Sequence, residues 1–486
     1  MSLSVEDGID ESTAKELQNR RALRKVSAVT ATYLILTDIL GPFSTPYGFR
    51  ELGYAPGTLL YFFLAIAAWY CGNLLSVLYL RLDSDRLPVR NYGQLTGRIF
   101  GAPGRALSDV LMIIQLVVNC GTILLSNAQS MAQIIDNAPG NHHLCFVVVI
   151  LIFLIISLLL SPVRSLRGVG FFSNVSVFLN VVLIFATIGF VTTSPPNYEA
   201  AKASYGIDRA PVMAVAFVQQ ALEAKVNGVM NLVFSYGGAM VFVDFLSEMK
   251  RPWDFWKAMS FAQTFIFCLY ILIGLVVYSQ QGQFTQSLAY YGVSPYSMQT
   301  FGNVVGFTTG TIAALLYGNI AVKLCYSTIV ERWCKGPALM TQRGWAFWGL
   351  CNAVFWPLAF VIGGAIPQIQ TIAGIVAAVC ILQFSYTFPF LLKWGMDMQI
   401  LAMAEDEAYT PGTTPRRRDG WTSVSRWRRA LFTGSLKQQV MNWAHLVLFL
   451  ASLSMACLGM WGSGLSIKET FAVAQATSFG CASPGS

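Results

Sequence analysis

The sequence predicts an all-α polytopic membrane protein of eleven transmembrane helices. Ten of them form a 5+5 inverted repeat with discontinuous helices 1 and 6. The first observation is composition: of 486 residues, 55% are hydrophobic and only 12% charged, with a mean hydropathy of +0.55. Soluble domains are about one quarter charged. The second is a series of long apolar runs, plainest at 146–160 and 259–278, on the scale of the roughly 18 apolar residues that mark a spanning helix. The third is a pair of helix-breaking sequences in corresponding spans.

The elements follow in order. Residues 1–25 are polar and lack the apolar stretch of a cleaved signal peptide. Thr13 and Glu16 have capping-box spacing, leaving either a short capped helix or a disordered cytoplasmic tail. The transmembrane domain is expected over 26–463. Its spans are predicted at 26–53, 55–80, 106–134, 144–163, 168–192, 220–247, 258–280, 302–331, 344–363, 368–392 and 438–462. With the N-terminus inside, the cytoplasmic segments hold 27 of the 32 Lys and Arg residues. The remainder are Arg50, Lys202, Arg209, Lys225 and Lys468. This separation is the positive-inside pattern. The net charge of +8 is therefore a topology signal, and no nucleic-acid partner is implied.

The loop 393–437 is predicted to be cytoplasmic and strongly basic. Its arginines interleave with Trp421, Trp427, Leu431 and Phe432, which suits either a short helix on the anionic inner leaflet or a solvated loop. Residues 464–486 form a short extracytoplasmic tail after helix eleven. The ten cysteines show no C-x-x-C and no metal-ligand spacing. Cys145 and Cys481 both fall on the predicted outer side, so a disulfide between them is one option.

The first span, 26–53, would be about 42 Å long if straight, against a hydrocarbon core of ~30 Å. It contains Gly41, Pro42 and Pro46. Each proline removes a backbone donor and disfavours helix at the residue before it. Two half-helices, about 26–38 and 44–53, are expected around an unwound Leu40-Gly41-Pro42-Phe43. The sixth span is interrupted by Ser235-Tyr236-Gly237-Gly238. Interior glycines cost roughly 1 kcal/mol each in a helix, so the break needs either a packing or a functional reason. Five spans separate the two breaks, and a repeat of five helices inverts in the membrane. Residues 26–192 and 220–392 are therefore read as two inverted repeats, with the transport site near the midplane where the broken helices meet.

The same residues resemble a known family. "GPFSTPYGFRELGY" resembles the first-helix signature of the amino acid/auxin permease family, that is, transmembrane amino acid transporters. "FSYGGAMVFVDFLSEMKRPWDFWKA" resembles its sixth-helix signature, and "YGNIAVKLCYSTIVERW" the eighth helix of members similar to fungal neutral amino acid permeases. One departure is Ile39, which stands where many members carry another glycine. The resemblance covers about 26–395. It implies a LeuT-like fold and a secondary active permease for amino acids, neutral or aromatic, commonly proton-coupled.

An amino acid zwitterion needs two complementary surfaces. Gly41, Phe43, Ser44 and Thr45, at the start of the outer half-helix, can offer N–H groups and helix-dipole charge to its carboxylate. Carbonyls around Phe234, Ser235 and Tyr236 can meet its ammonium, while Gly237 and Gly238 allow close approach. Asp38 ends the inner half-helix, where a carboxylate is costly unless protonated, paired or neutralising a cation. It is a candidate for proton coupling or ammonium binding; the alternative is a residue satisfied by a neighbouring helix. Lys323, inside span eight, either snorkels toward the cytoplasm or takes the place of a coupling cation and carries the proton.

Asp244 and Glu248, near Lys250 and Arg251, read as local salt-bridge partners. Arg50 and Glu51 are either an outer gate or surface charges. Asn119, Asn127, Phe384, Ser385 and Tyr386 are further pathway candidates. No P-loop, nucleophile elbow or histidine cluster is present, which argues against an enzyme, and no channel filter motif is apparent. A transporter-like nutrient sensor, or a permease for another small polar solute, is the rival reading. No cofactor, metal or obligate protein partner is implied beyond the transported ion. The partners are an amino acid and membrane lipid, and the plasma membrane is preferred to the vacuolar membrane.

Overall fold

A computed structural model describes residues 24, 26–40, 44–84, 88–138, 144–161, 166–337, 339, 341–365, 368–403, 423–432, 434–472 and 479–481. The helices are α1 (Ala28–Ile39), α2 (Thr45–Leu52), α3 (Tyr54–Leu82), α4 (Tyr92–Asp136), α5 (Phe146–Leu160) and α6 (Leu166–Thr193). Then come α7 (Tyr198–Tyr205), α8 (Leu222–Phe234), α9 (Phe242–Glu248), α10 (Phe255–Gln281) and α11 (Tyr296–Cys325). The chain closes with α12 (Gln342–Ala365), α13 (Ile369–Val376), α14 (Phe388–Met403), α15 (Val424–Phe432) and α16 (Leu436–Ala472). Among the described residues, nine helical stretches are long and apolar enough to cross a membrane, and α1 and α5 are shorter apolar helices. The protein is an all-helical, multi-pass membrane protein.

Both expected breaks are present. Ser27 caps α1 by accepting from the Thr30 amide at 3.1 Å, and the helix stops at Ile39. After the undescribed residues 41–43, α2 starts with Pro46 in its first turn, where a missing N–H costs nothing. In the sixth span α8 ends at Phe234, residues 235–238 leave the helix, and a 3₁₀ turn at Ala239–Val241 leads into α9. Two features were not visible in the sequence. The chain passes into π-helical turns at Tyr326–Trp333, Ala377–Ile381 and Gln383–Thr387. Helix α4 begins well before 106 and bends at Gly101 (φ 73°), a left-handed conformation suited to glycine.

Helix α4 lies at the centre, packed on α11 and α12. A Cβ at Gly121 would fall 2.5 Å from the Ala359 carbonyl, so the α4 and α12 backbones touch through glycine. Large apolar side chains such as Phe63, Leu159, Phe178, Phe261 and Leu350 point outward and exposed, which suits lipid.

At one end of the bundle the basic loops gather. Arg24 pairs with Asp83 at 2.7 Å, Arg332 with Asp109 at 3.3 Å, and Trp427 of α15 stacks on Trp394 of α14. The predicted basic helix thus exists at Val424–Phe432 and is docked on the bundle; Trp421 lies outside the described residues. At the opposite end Cys145 and Cys481 form a disulfide. The segment carrying Cys481 hydrogen-bonds the start of α5, with the Phe146 amide donating to the Cys481 carbonyl at 3.1 Å.

Candidate functional site: a cavity where two helix breaks meet

The end of α1 is the best-defined part of the site. A helix terminus leaves carbonyls without intrahelical partners, and here three consecutive ones are claimed by side chains from three other helices. Tyr317 of α11 donates to the Asp38 carbonyl at 2.7 Å, Tyr270 of α10 to the Ile39 carbonyl at 2.9 Å, and Asn180 of α6 to the Leu40 carbonyl at 2.9 Å. The Tyr317 hydroxyl also lies 3.0 Å from Asp38 Oδ1. The second carboxylate oxygen, Asp38 Oδ2, is buried without a hydrogen-bond partner. It faces the other break: a Cβ on Gly238 would press on Asp38 Oδ2 and lie 2.8 Å from Ile39.

Beside this junction is a cavity enclosing roughly 1100 Å³ of empty space, open solvent at its mouth included. Asp38, Phe234 and Gly237 line it, together with Gln115 and Asn119 of α4 and Tyr317. The cavity therefore brings together both breaks and the central helix.

The other candidate residues are placed as follows. Ser44 and Thr45 are buried and bind α8: Ser44 Oγ donates to the Asn231 carbonyl at 3.4 Å, and Thr45 Oγ1 pairs with Ser235 Oγ at 2.9 Å. Tyr236 stacks on Tyr61 at 4.6 Å and donates to the Tyr61 carbonyl. These four side chains lock α2 and α3 to α8 and are not among those lining the cavity. Gly41 and Phe43 lie outside the described residues.

Lys323 sits six residues beyond Tyr317, about 9 Å along the helix axis. It interacts electrostatically with Glu248, which in turn interacts with Asp244. The charge partner of Glu248 is thus on α11, beyond its own helix. Asn127 donates to Thr311 at 3.3 Å. Phe384 and Tyr386 lie in the π-turns, where their carbonyls face Tyr92 and Cys71, so they secure α3 and α4.

Each end of the cavity region is bridged. At the basic end the Val26 amide donates to the Glu248 carbonyl at 3.0 Å and the Lys250 amide to the Val26 carbonyl at 2.9 Å. At the disulfide end Arg50 and Glu51 are only 8% and 4% exposed, so they are not surface charges. The Arg50 guanidinium lies 3.6 Å from the centre of the Tyr205 ring, a cation–π contact. Burial, offset in part by Arg50, pushes the Tyr205 hydroxyl up to about 12. Residues 52–55 also pair with 215–218: the Tyr54 amide donates to the Val215 carbonyl at 3.2 Å, and Val218 to Leu52 at 3.4 Å.

Tyr270, Tyr317, Asn180 and Gln115 were not anticipated. The only signal available was a polar group inside an apolar span, which marks functional positions in membranes.

A multi-pass helical bundle with a polar cavity at two broken helices is the architecture of a secondary transporter. Solved structures agree at the level of fold. MhsT in complex with L-phenylalanine superposes with a TM-score of 0.55 at 10% identity, covering 90% of this chain and 99% of MhsT. The nucleobase-cation-symport-1 family transporter Mhp1, in a closed conformation with bromovinylhydantoin bound, gives 0.52 at 14%, covering 93% of each. A transmembrane transporter of Gibberella moniliformis is 24% identical over 451 residues, 91% of this chain and 84% of that protein. The N amino acid transport system protein of Neurospora crassa is 24% identical over 367 residues, 75% of this chain and 74% of that protein. The chain belongs to the transmembrane amino acid transporter protein family, whose match spans residues 24–396. Family and relatives indicate a transporter rather than an enzyme.

Proposed function

We propose that the protein is a proton-coupled permease for neutral amino acids, working by alternating access at the cavity where α1 and α8 end. The observation that carries this reading is Asp38: one carboxylate oxygen is held by Tyr317, and the other is buried, unpartnered and set against the second break. An ionised carboxylate so placed is costly. A proton or the substrate ammonium would relieve that cost. The L-phenylalanine bound to MhsT and the name of the Neurospora relative support an amino acid as cargo.

In this reading the α1–α2 pair counts as one crossing and α5 as another, bringing nine to eleven. The breaks then fall in crossings one and six of a 5+5 inverted repeat. The domain limits are those predicted from the sequence, with the basic end cytoplasmic. A disulfide at the opposite end supports that orientation, since disulfides persist on the oxidising side of a membrane, and the plasma membrane is the expected location. The substrate carboxylate would meet the amides leading α2, with Gly41 to Thr45 as its cradle. The ammonium would meet Asp38 and the carbonyls ending α8 around Phe234 to Tyr236. Asp38 would take the proton, and Lys323 with Glu248 would relay it toward the basic end. Opening either end would require parting the Arg50–Tyr205 contact or the backbone bonds of Val26 to Glu248 and Lys250.

The test is a counterflow panel of amino acids in proteoliposomes at two external pH values. Exchange of neutral amino acids, faster at acidic pH, is expected, and should persist when sodium is replaced by choline. Failure of every amino acid would sink the permease reading and favour a sensor or another small polar solute. A strict sodium requirement would sink the coupling assigned to Asp38 and Lys323.

A further inference from the structure

We propose that Gln115 and Asn119 form a hydrogen-bonding subsite for the substrate side chain. The cavity then selects small neutral amino acids bearing a hydroxyl or carboxamide. This rests on the reading that the cavity is the substrate site.

Gln115, Asn119, Thr122 and Ser126 all line the cavity from α4. Their spacing of four, three and four residues puts them on one helical stripe. The lower two hydroxyls donate to their own helix, Thr122 to the Val118 carbonyl at 2.9 Å and Ser126 to Ile123 at 3.0 Å. They therefore offer the cavity only acceptor oxygens.

The two amides differ. Gln115 is 2% exposed, and Gln115 Oε1 and Asn119 Oδ1 are both shielded from solvent without a hydrogen-bond partner. A carboxamide turned half a revolution presents its NH₂ group in the same place, so each position can accept or donate. Leaving such a buried group unsatisfied carries the full cost of its desolvation. A core that only had to pack would do better with Leu or Met at these positions. The stripe is uncharged, so it does not attract a cationic or anionic side chain. Met240, Ile312 and Leu316 supply apolar surface to the same cavity, and Tyr317 and Asn180, which also line it, are already bound to the end of α1. A hydroxyl or carboxamide can both donate and accept, and so can satisfy either orientation of these amides. An aliphatic or aromatic side chain would leave them unpaired, and sites built to hydrogen-bond a substrate discriminate strongly against analogues that cannot.

The experiment measures initial uptake of labelled glutamine, serine and leucine by the purified full-length protein in proteoliposomes. On the native protein, unlabelled glutamine and serine should compete at least tenfold better than leucine or phenylalanine. Asn119→Leu and Gln115→Met should raise the KM for glutamine and serine about tenfold relative to that for leucine, corresponding to roughly 1.4 kcal/mol. Asn119→Ser and Gln115→Asn should retain the polar preference. Equal loss for polar and apolar substrates, or a native preference for leucine or phenylalanine, overturns the subsite while leaving the permease reading in place. Water filling the stripe in place of substrate would give that same indifference. Native protein that moves no amino acid at all overturns the permease reading, and this inference with it.

Discussion

Adding one methyl group at Gly238 tests whether the meeting of the two breaks is needed for transport. Gly238→Ala acts at the residue that precedes the 3₁₀ turn, with φ 173° and ψ −15°. Its effect is steric. The new Cβ would press on Asp38 Oδ2 and stand 2.8 Å from Ile39 Cγ1, closer than the 3.0 Å that real Cβ atoms keep. Neither neighbour can give way cheaply, because Tyr317, Tyr270 and Asn180 pin the carbonyls of residues 38–40. Overpacking of this kind costs about 1–3 kcal/mol. If that cost falls on the transport-competent arrangement, uptake should drop about 5- to 150-fold, at roughly 1.4 kcal/mol per factor of ten. The assay is initial uptake normalised to protein in the membrane, with thermal stability measured in parallel. Gly349→Ala, whose Cβ would meet nothing within 4 Å, is the control and should be neutral. In a double-mutant cycle, Asp38→Ala should recover part of the stability lost in Gly238→Ala without restoring transport. Native rates in Gly238→Ala would refute the claim that the two breaks work as a unit.

Three further outcomes follow from the same contacts. Tyr317→Phe removes the donor shared by the Asp38 carbonyl and carboxylate. At about 1.5–3 kcal/mol for a hydrogen bond to a charged group, uptake should fall about 10- to 150-fold and its pH profile should move. Arg50→Ala loses the contact with Tyr205, so a cysteine placed in the cavity should react faster with a reagent added from the disulfide side. Cys145→Ser or Cys481→Ser opens the bridge between α5 and the C-terminal segment. Melting temperature should drop, reflecting about 2–4 kcal/mol, and an impermeant thiol reagent should label the remaining cysteine from outside intact cells. Labelling only after permeabilisation would reverse the proposed orientation.

The breaks themselves were legible because glycine and proline act locally: Pro46 favours the start of a helix, and Gly237-Gly238 interrupt a hydrogen-bonding pattern that depends on residues three to five positions away. Spans were legible for a related reason, since hydropathy is a local sum. The polar frame of the site was not. Tyr317, Tyr270 and Asn180 reach α1 across 279, 231 and 140 residues of sequence, and a tyrosine in an apolar span looks the same whether it packs or donates. Ser44 and Thr45 could be recognised as helix-start residues, but not that their hydroxyls are spent on α8. The π-turns around Phe384 and Tyr386 carry no composition signal, which is why those residues read as pathway candidates. The Cys145–Cys481 bridge was one open option because pairing depends on where a C-terminal segment returns. Arg50 and Glu51 could not be told from surface charges until α7 was seen to cover them.

The most direct measurement of the central claim is pH-dependent uptake of a labelled neutral amino acid into proteoliposomes holding native protein or Asp38→Asn. The account predicts that native uptake rises as the external pH is lowered and collapses when the proton gradient is dissipated. Asp38→Asn, at equal abundance and stability, should be slow and insensitive to both. Native-like uptake and pH dependence in Asp38→Asn would contradict the assignment of the coupling charge to the junction of the two broken helices.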